Sequence, residues 1–350
     1  MCNLAGYIGE KQAAPILLEM LKRQEGLDAG FYTGIATIHE GKIYYAKVIG
    51  DTQTLIDSKQ VQNFPGTVGF IHSRTPSGGD VAWGHPFVHI DGDDVPHAYI
   101  ANGASGRFKN NNDRYTAIAQ ELSDEGYVLT SKNKSCTEYH VLKDGDGVHM
   151  SDAMCELIAR NLDRGAKDIP TAMADAFCEM PGEIVGLFLS LTAPDSISYS
   201  RINMPMFVGF AEDGAYLASS PTAFDEGVSY PELLPVCSSG TVYKDRFVAI
   251  PYKNAPVEVA PITNELMSEM YRGVYEALSK KEMSYQDLLA NVIKPRLKGD
   301  ACYQIAAITY KILYDIDKKN RLKIRTERHS VDGVCDGFEA PIFMLSVKSF

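Results

Sequence analysis

The sequence has no apolar run approaching the roughly 20 residues needed to cross a bilayer, so no membrane span is expected. Its start lacks a basic stretch followed by an apolar one, which argues against a secretory leader. The seven cysteines (Cys2, Cys136, Cys155, Cys178, Cys237, Cys302 and Cys335) are scattered, odd in number and without a C-x-x-C pair. That excludes a disulfide framework or zinc ribbon and points to reduced thiols in a cytoplasmic setting. Neither G-x-x-x-x-G-K-S/T nor G-x-G-x-x-G occurs, so nucleotide binding has no support. No internal repeat and no low-complexity tract is present. Positive charge is also short. The net charge of −11 argues against wholesale nucleic-acid binding.

What is present is the composition of a globular protein, 45% apolar and 23% charged over 350 residues. The charge is uneven. Residues 280–350 hold 13 Lys and Arg against 9 Asp and Glu, a balance of +4, which leaves −15 for the rest. An acidic body and a mildly basic tail suggest two regions with different partners.

The first 250 residues alternate strand-rich blocks with pairs of helices, the pattern of layered sheets covered by helices. Residues 2–9 read as a short buried strand, 11–25 as an amphipathic helix, and "YTGIATIHEGKIYYAKVIG" as a hairpin turning at Glu40-Gly41. "GTVGFIHSRT" and "HAYIANGAS" are further strands. Helices are expected near 113–125, 151–164 and 170–179, then a second series of strands. The stretch 251–261, with three prolines, reads as a linker. Beyond it, Ile262, Leu266, Met270, Val274 and Leu278 fall every fourth residue, as on one helix face. Ser284 is placed to cap a second helix and Asp300 a third, before a final hairpin. Three helices and a hairpin over 262–350 resemble a winged-helix module. Nucleic-acid contact is one use of such a module, and "KKNRLKIRTER" is basic. The third helix is nearly neutral, however, which favours docking or dimerisation.

The chemistry gathers around Cys2. Removal of Met1 would give that residue both a thiol and a free α-amino group, whose ordinary pKa of about 7.7–8.0 suits it to accept the thiol proton. The plainer alternative is a small buried hydrophobe opening an edge strand. "IHSRTPSGG" brings Arg74 to a strand end, and its planar guanidinium fits a carboxylate. "IANGASG" brings Asn102-Gly103 to another, a side-chain amide and a backbone N–H able to hold an oxyanion. Singly these are weak, since Asn-Gly often marks a turn and a lone arginine often forms a surface ion pair.

In order after Cys2, the motifs "CNLAGYIG", "TGIAT", "HSRTPSGG", "GHPF", "IANG", "CTEYHVL", "YLASSPTAF" and "LLPV…SSGTVY" resemble the class II glutamine amidotransferases. These are N-terminal-nucleophile hydrolases, and the likeness is nearest to the glutaminase half of glucosamine-6-phosphate synthase. It covers about residues 2–250. It implies an α+β, four-layer αββα sandwich, cofactor-free and metal-free, which cleaves the amide of L-glutamine or a related compound. Cys2 would be the nucleophile and its own amine the base. Asn102 and Gly103 would form the oxyanion hole, while Arg74 and Ser77 would hold the substrate carboxylate.

Three departures bear on the substrate. The family's aspartate for the glutamine ammonium falls at Cys136, leaving Glu138 or Asp80 as substitutes. The family's Arg-Gly-x-Asp-Ser loop is "DAGFYTG", with Asp28 near the arginine position. The loop's histidine is Gly78 and its tryptophan is Thr75. The family's sugar-isomerase half is absent, so ammonia would pass to an acceptor on another protein. Alternatives are a hydrolase of a different amide, and a non-catalytic scaffold or sensor working through residues 262–350. His85, His89 and His97, with Asp91, Asp93 and Asp94 between them, are expected to be unrelated in space rather than a metal site. His72 is expected to be structural.

Overall fold

The computed structural model describes residues 2–76, 79–134, 140–330 and 339–348. The chain opens with β1 (Asn3–Gly9), α1 (Ala13–Lys22), the hairpin β2 (Tyr32–His39) and β3 (Lys42–Ile49), then α2 (Thr52–Lys59) and β4 (Val68–Arg74). β5 (Phe87–Asp91), β6 (Asp94–Ala104) and α3 (Asn112–Asp124) follow. A small pair, β7 (His140–Val141) and β8 (Gly147–Val148), precedes α4 (Met150–Asp163) and α5 (Ile169–Glu179). Seven strands come next: β9 (Glu183–Ser190), β10 (Ile197–Arg201), β11 (Phe207–Ala211), β12 (Gly214–Ala218), β13 (Ser229–Leu233), β14 (Ser238–Val242) and β15 (Phe247–Pro251). The remainder is α6 (Asn264–Lys280), β16 (Met283–Ser284), α7 (Tyr285–Leu288), α8 (Ile305–Asp317), β17 (Leu322–Ser330) and β18 (Glu339–Val347).

Two antiparallel sheets result. One has the order β13-β11-β12-β1-β4-β2-β3, the other β15-β14-β10-β9-β6-β5. Their facing sides interdigitate through Leu4, Ile8, Ala36, Phe70, Ala98, Ile100, Val185 and Leu187, the alternate residues of their strands. The opposite parity faces helices. Ala5, Ile35 and Ile71 meet Leu17 and Leu21 of α1, while Tyr99 and Phe188 meet α3, α4 and α5. The layers are therefore helix, sheet, sheet, helix.

β1 lies between β12 and β4, in the interior of its sheet rather than at an edge, because both of its flanks find antiparallel partners. The capping expectations divide. Ser284 accepts the N–H of Asp287 at 3.1 Å, as the spacing predicts. Asp300 does not cap α8. It sits in a 3-10 turn over Gly299–Gln304, and the helix starts at Ile305, after Gln304 has donated to the Ala260 carbonyl.

After residue 262 the element order is helix, strand, helix, helix and hairpin, with a small sheet in the order β16-β18-β17. Met270, Val274 and Leu278 of α6 and Ile308, Ile312 and Ile316 of α8 join the same core as α1. No helix among the described residues is long and apolar enough to cross a membrane.

Candidate active site

Strand parity builds the site. The register of β1 on β4 pairs Leu4 with His72 and Asn3 with Ser73, so the next step sets Cys2 opposite Arg74. Cys2, His72 and Arg74 share parity with Leu4 and Phe70, and so belong to the face turned toward the second sheet. On β6, Asn102 shares parity with Ala98 and Ile100 and faces the first sheet. The even positions of three strands thus bring Cys2, His72, Arg74 and Asn102 to one end of the layer between the sheets.

Cys2, Arg74 and Gly103 line one cavity of about 530 Å³. Cys2 is partly exposed, its Sγ 4.0 Å from the Thr75 hydroxyl. Arg74 lies over the Tyr32 ring at 4.9 Å and donates to the Trp83 carbonyl at 3.3 Å. Asn102 does not line the cavity itself, but its side chain is 1% exposed with neither polar atom hydrogen-bonded among the described residues. That is costly unless something else meets the amide. Gly103 sits at φ +144°, where a side chain would drive into the Glu183 carbonyl 2.0 Å from its Cβ position. Ser77 and Cys136, and with them Gly78 and Glu138, lie outside the described residues.

The cavity extends past residues that sequence reasoning did not place there: His85, Tyr99, Tyr115, His140, His149 and Met154. "GHPF" was the available signal for His85. His85 lies tilted against His72 with ring centres 4.0 Å apart, and His149 lies 5.6 Å further on. His72 and His85 are buried and His149 partly so, and desolvation holds each neutral. His72 is brought down to about 3, and His85 and His149 fall well below the ordinary imidazole value. Ser151 donates its backbone N–H to Nδ1 of His149 at 3.1 Å. A backbone N–H can only donate, so the neutral ring carries its proton on Nε2. Lys47 fixes the segment bearing His85, donating to the carbonyls of Ala82, Gly84 and Pro86 at 3.2, 2.9 and 3.4 Å. Burial lowers the Lys47 pKa to about 8.

Asp80, the substitute that lies among the described residues, is occupied elsewhere. Asp80 accepts the Ala82 N–H at 2.8 Å and the Asn133 side-chain amide. It is therefore committed to shaping its own loop. Asp28 bonds Gln286 of α7. The histidines of the acidic hairpin also differ from expectation. His89 and His97 are cross-strand partners with stacked rings 5.7 Å apart, because the turn at Gly92 brings β5 back along β6. His89 bonds the buried Glu156 at 2.6 Å. Burial opposes its charge, but Glu156 more than offsets this and raises its pKa. No group of three or more His, Cys, Asp or Glu side chains among the described residues is arranged to hold a metal ion.

The fold is shared with solved glutamine amidotransferases. The glutamine phosphoribosylpyrophosphate amidotransferase of B. subtilis superposes with a TM-score of 0.58, covering 80% of this chain and 58% of that one at 14% identity. In sequence, the chain is similar to the glutamine–fructose-6-phosphate aminotransferase (isomerizing) of Chlorobaculum tepidum. It is 26% identical to it over 309 residues, which is 85% of this chain and 45% of the relative. The corresponding protein of Bacteroides thetaiotaomicron is 25% identical over 328 residues, 89% of this chain and 48% of that one. The chain therefore spans about half the length of the curated relatives it matches. No family model matches it. In sequence the chain is thus similar to glutamine–fructose-6-phosphate aminotransferases, and in fold to a glutamine phosphoribosylpyrophosphate amidotransferase.

Proposed function

We propose that this chain, with Met1 removed, cleaves a primary carboxamide through Cys2. L-glutamine is the leading substrate, and ammonia passes to an acceptor on another protein. The observation that carries this is the common parity of Cys2, Arg74 and Asn102 at one end of the inter-sheet layer, with Gly103 on the same cavity. The α-amine takes the thiol proton and the thiolate adds to the amide carbon. The negative oxygen is met by the Asn102 side-chain N–H and the Gly103 backbone N–H. The ammonium formed on Cys2 returns its proton to the departing nitrogen, leaving a thioester that water hydrolyses to the acid. Arg74 holds the substrate carboxylate, with Ser77 beside it.

A second reading, hydrolysis of a different amide, has one observation in its favour. The described lining of the cavity contains Met150, Met154 and Met180 and one cation, Arg74, but no carboxylate to pair with an α-ammonium. The test is glutamate release from L-glutamine by protein whose intact mass lacks Met1. Cys2→Ala is expected to abolish release while leaving the far-UV spectrum and melting temperature unchanged. Turnover by protein that retains Met1 would overturn the self-base mechanism. No turnover by processed protein would favour the other amide.

The element order after residue 262 supports a winged-helix type of module, with the boundary in the 251–261 linker. Two arginines of its basic tract are ion-paired within the molecule. Arg325 lies between Glu282 and Glu327, and Arg328 meets Asp51. That pairing favours docking to protein over nucleic acid.

A further inference from the structure

The C-terminal module reaches the site from two sides. On one, the Tyr310 hydroxyl of α8 accepts from the Asn3 side chain at 3.4 Å, one residue from Cys2. On the other, the ring of Tyr303, in the turn before α8, lies 4.1 Å beneath the Arg107 guanidinium. Its backbone carbonyl accepts from Asn203 at 3.3 Å. Arg107 and Asn203 both converge on Glu183, Arg107 through Nε at 2.5 Å and Asn203 through its side-chain amide. Glu183 and Asn203 are buried, and the Arg107 side chain is mostly so. Burial opposes the charge on Arg107, but the Glu183 carboxylate more than offsets this and raises its pKa.

Glu183 in turn supports the turn that follows Asn102. Its carbonyl closes on Gly103, and its side chain fills the space a Cβ on Gly106 would need, with Cγ 2.2 Å from that position. Gly106 has φ +52°, so the turn is both tight and left-handed where Glu183 underlies it. A continuous set of contacts therefore runs from Tyr303 through Arg107 and Asn203 to Glu183 and the backbone of residues 103–107. A buried ion pair keeps its geometry while its remaining faces are covered and dry, and here Tyr303 covers the guanidinium.

We propose that Tyr303 and Glu183 are positioning residues for the Asn102–Gly103 end of β6 and the turn after it, so that the C-terminal module is a working part of the site rather than an appended docking unit. This rests on the reading of that strand end as the oxyanion-holding side. Removing the Tyr303 ring would admit water beneath Arg107, loosen the pair with Glu183 and let the Gly103 N–H wander from its aim.

The test uses the full chain carrying Tyr303→Ala or Tyr303→Phe, and reads hydrogen exchange of the amides of residues 103–107 beside steady-state glutamate release. Tyr303→Ala is expected to speed exchange in that turn and to lower kcat about tenfold with KM within about twofold, a fraction of the roughly 10²–10³ lost when an oxyanion donor is removed. Tyr303→Phe, which keeps the ring, is expected to match the parent in both. Unchanged exchange in Tyr303→Ala overturns the proposal, as does an equal loss in the two variants or acceleration spread evenly over the chain. Should Tyr303→Ala fail to fold, Arg107→Gln opens the same stack from the other side and carries the same expectation. The exchange readout needs no substrate. If the parent releases no glutamate while the turn still responds to Tyr303→Ala, the glutaminase reading fails and the positioning role stands. If the parent turns over and the turn does not respond, the reverse holds.

Discussion

His72 illustrates how a single side chain couples the site to stability. It is fully buried beside His85, and its pKa is brought down to about 3 from an ordinary 6.5. Between those values the unfolded chain holds a proton that the folded chain does not, so stability falls as pH drops through that window and is fully present above about 6.5. Relative to His72→Gln, the parent is expected to lose about 1.4 kcal/mol per unit of acidification below about pH 6. Denaturant midpoints at pH 7.0, 6.0 and 5.0 measure it. A parent and variant that shift in parallel would mean that His72 accepts its proton without cost. At the same scale, the neutral His149 presents its Nε2 proton, so the cavity pairs Arg74 with uncharged imidazoles.

Among elements, α2 shows how a helix start ties the two ends of the chain together. Asp51 caps it, accepting from the Thr54 backbone at 2.9 Å and its hydroxyl at 2.8 Å, and its other oxygen meets Arg328 of β17. Burial raises its pKa, but these donors outweigh it and hold the carboxyl below the usual range. Asp51→Ala is expected to cost about 1–2 kcal/mol, the usual span for a lost N-cap, read as a lower denaturant midpoint at pH 7. A change under about 0.5 kcal/mol, the level of an ordinary surface substitution, would mean that the cap and Arg328 contribute nothing measurable. The Gly103–Arg107 turn is the other element of consequence. There Glu183 of the neighbouring strand closes on Gly103 with its carbonyl and on Gly106 with its side chain.

Over the whole molecule, the C-terminal module shares a core with the first sheet's helical layer. Met270, Val274, Leu278, Ile308, Ile312 and Ile316 pack in the cluster that holds Leu17 and Leu21. Truncation after Ala255 would uncover the apolar side chains they meet. Each large buried one contributes about 1.5–3 kcal/mol, so a fall in melting temperature on the order of 10 °C or more is expected by calorimetry. A truncated chain that melts with the parent would make the module an independent domain joined only by its linker. The charges agree with the packing. The −15 of the first 279 residues faces a tail of +4, and Arg328 meets Asp51 across that boundary.

Much of this was legible from the sequence, and the reasons are local. Periodicity found α3, the hairpin of β2 and β3, and the fourfold stripe on α6, because 2.0- and 3.6-residue repeats are written in adjacent residues. Strand ends carrying Arg74 and Asn102-Gly103 could be read for the same reason. The chain order of the motifs led to the amidotransferase likeness. Which strands are neighbours is not local. Sequence reading placed β1 at a sheet edge only in the plainer alternative for Cys2, and left His89 and His97 as strangers. Backbone pairing with β12 and β4, and the tight return of β6 on β5, decided otherwise. Tertiary packing alone brought His85 and His149 to the cavity, committed Asp80 to its loop, and seated Tyr303 under Arg107, since each depends on contacts between residues far apart in the chain.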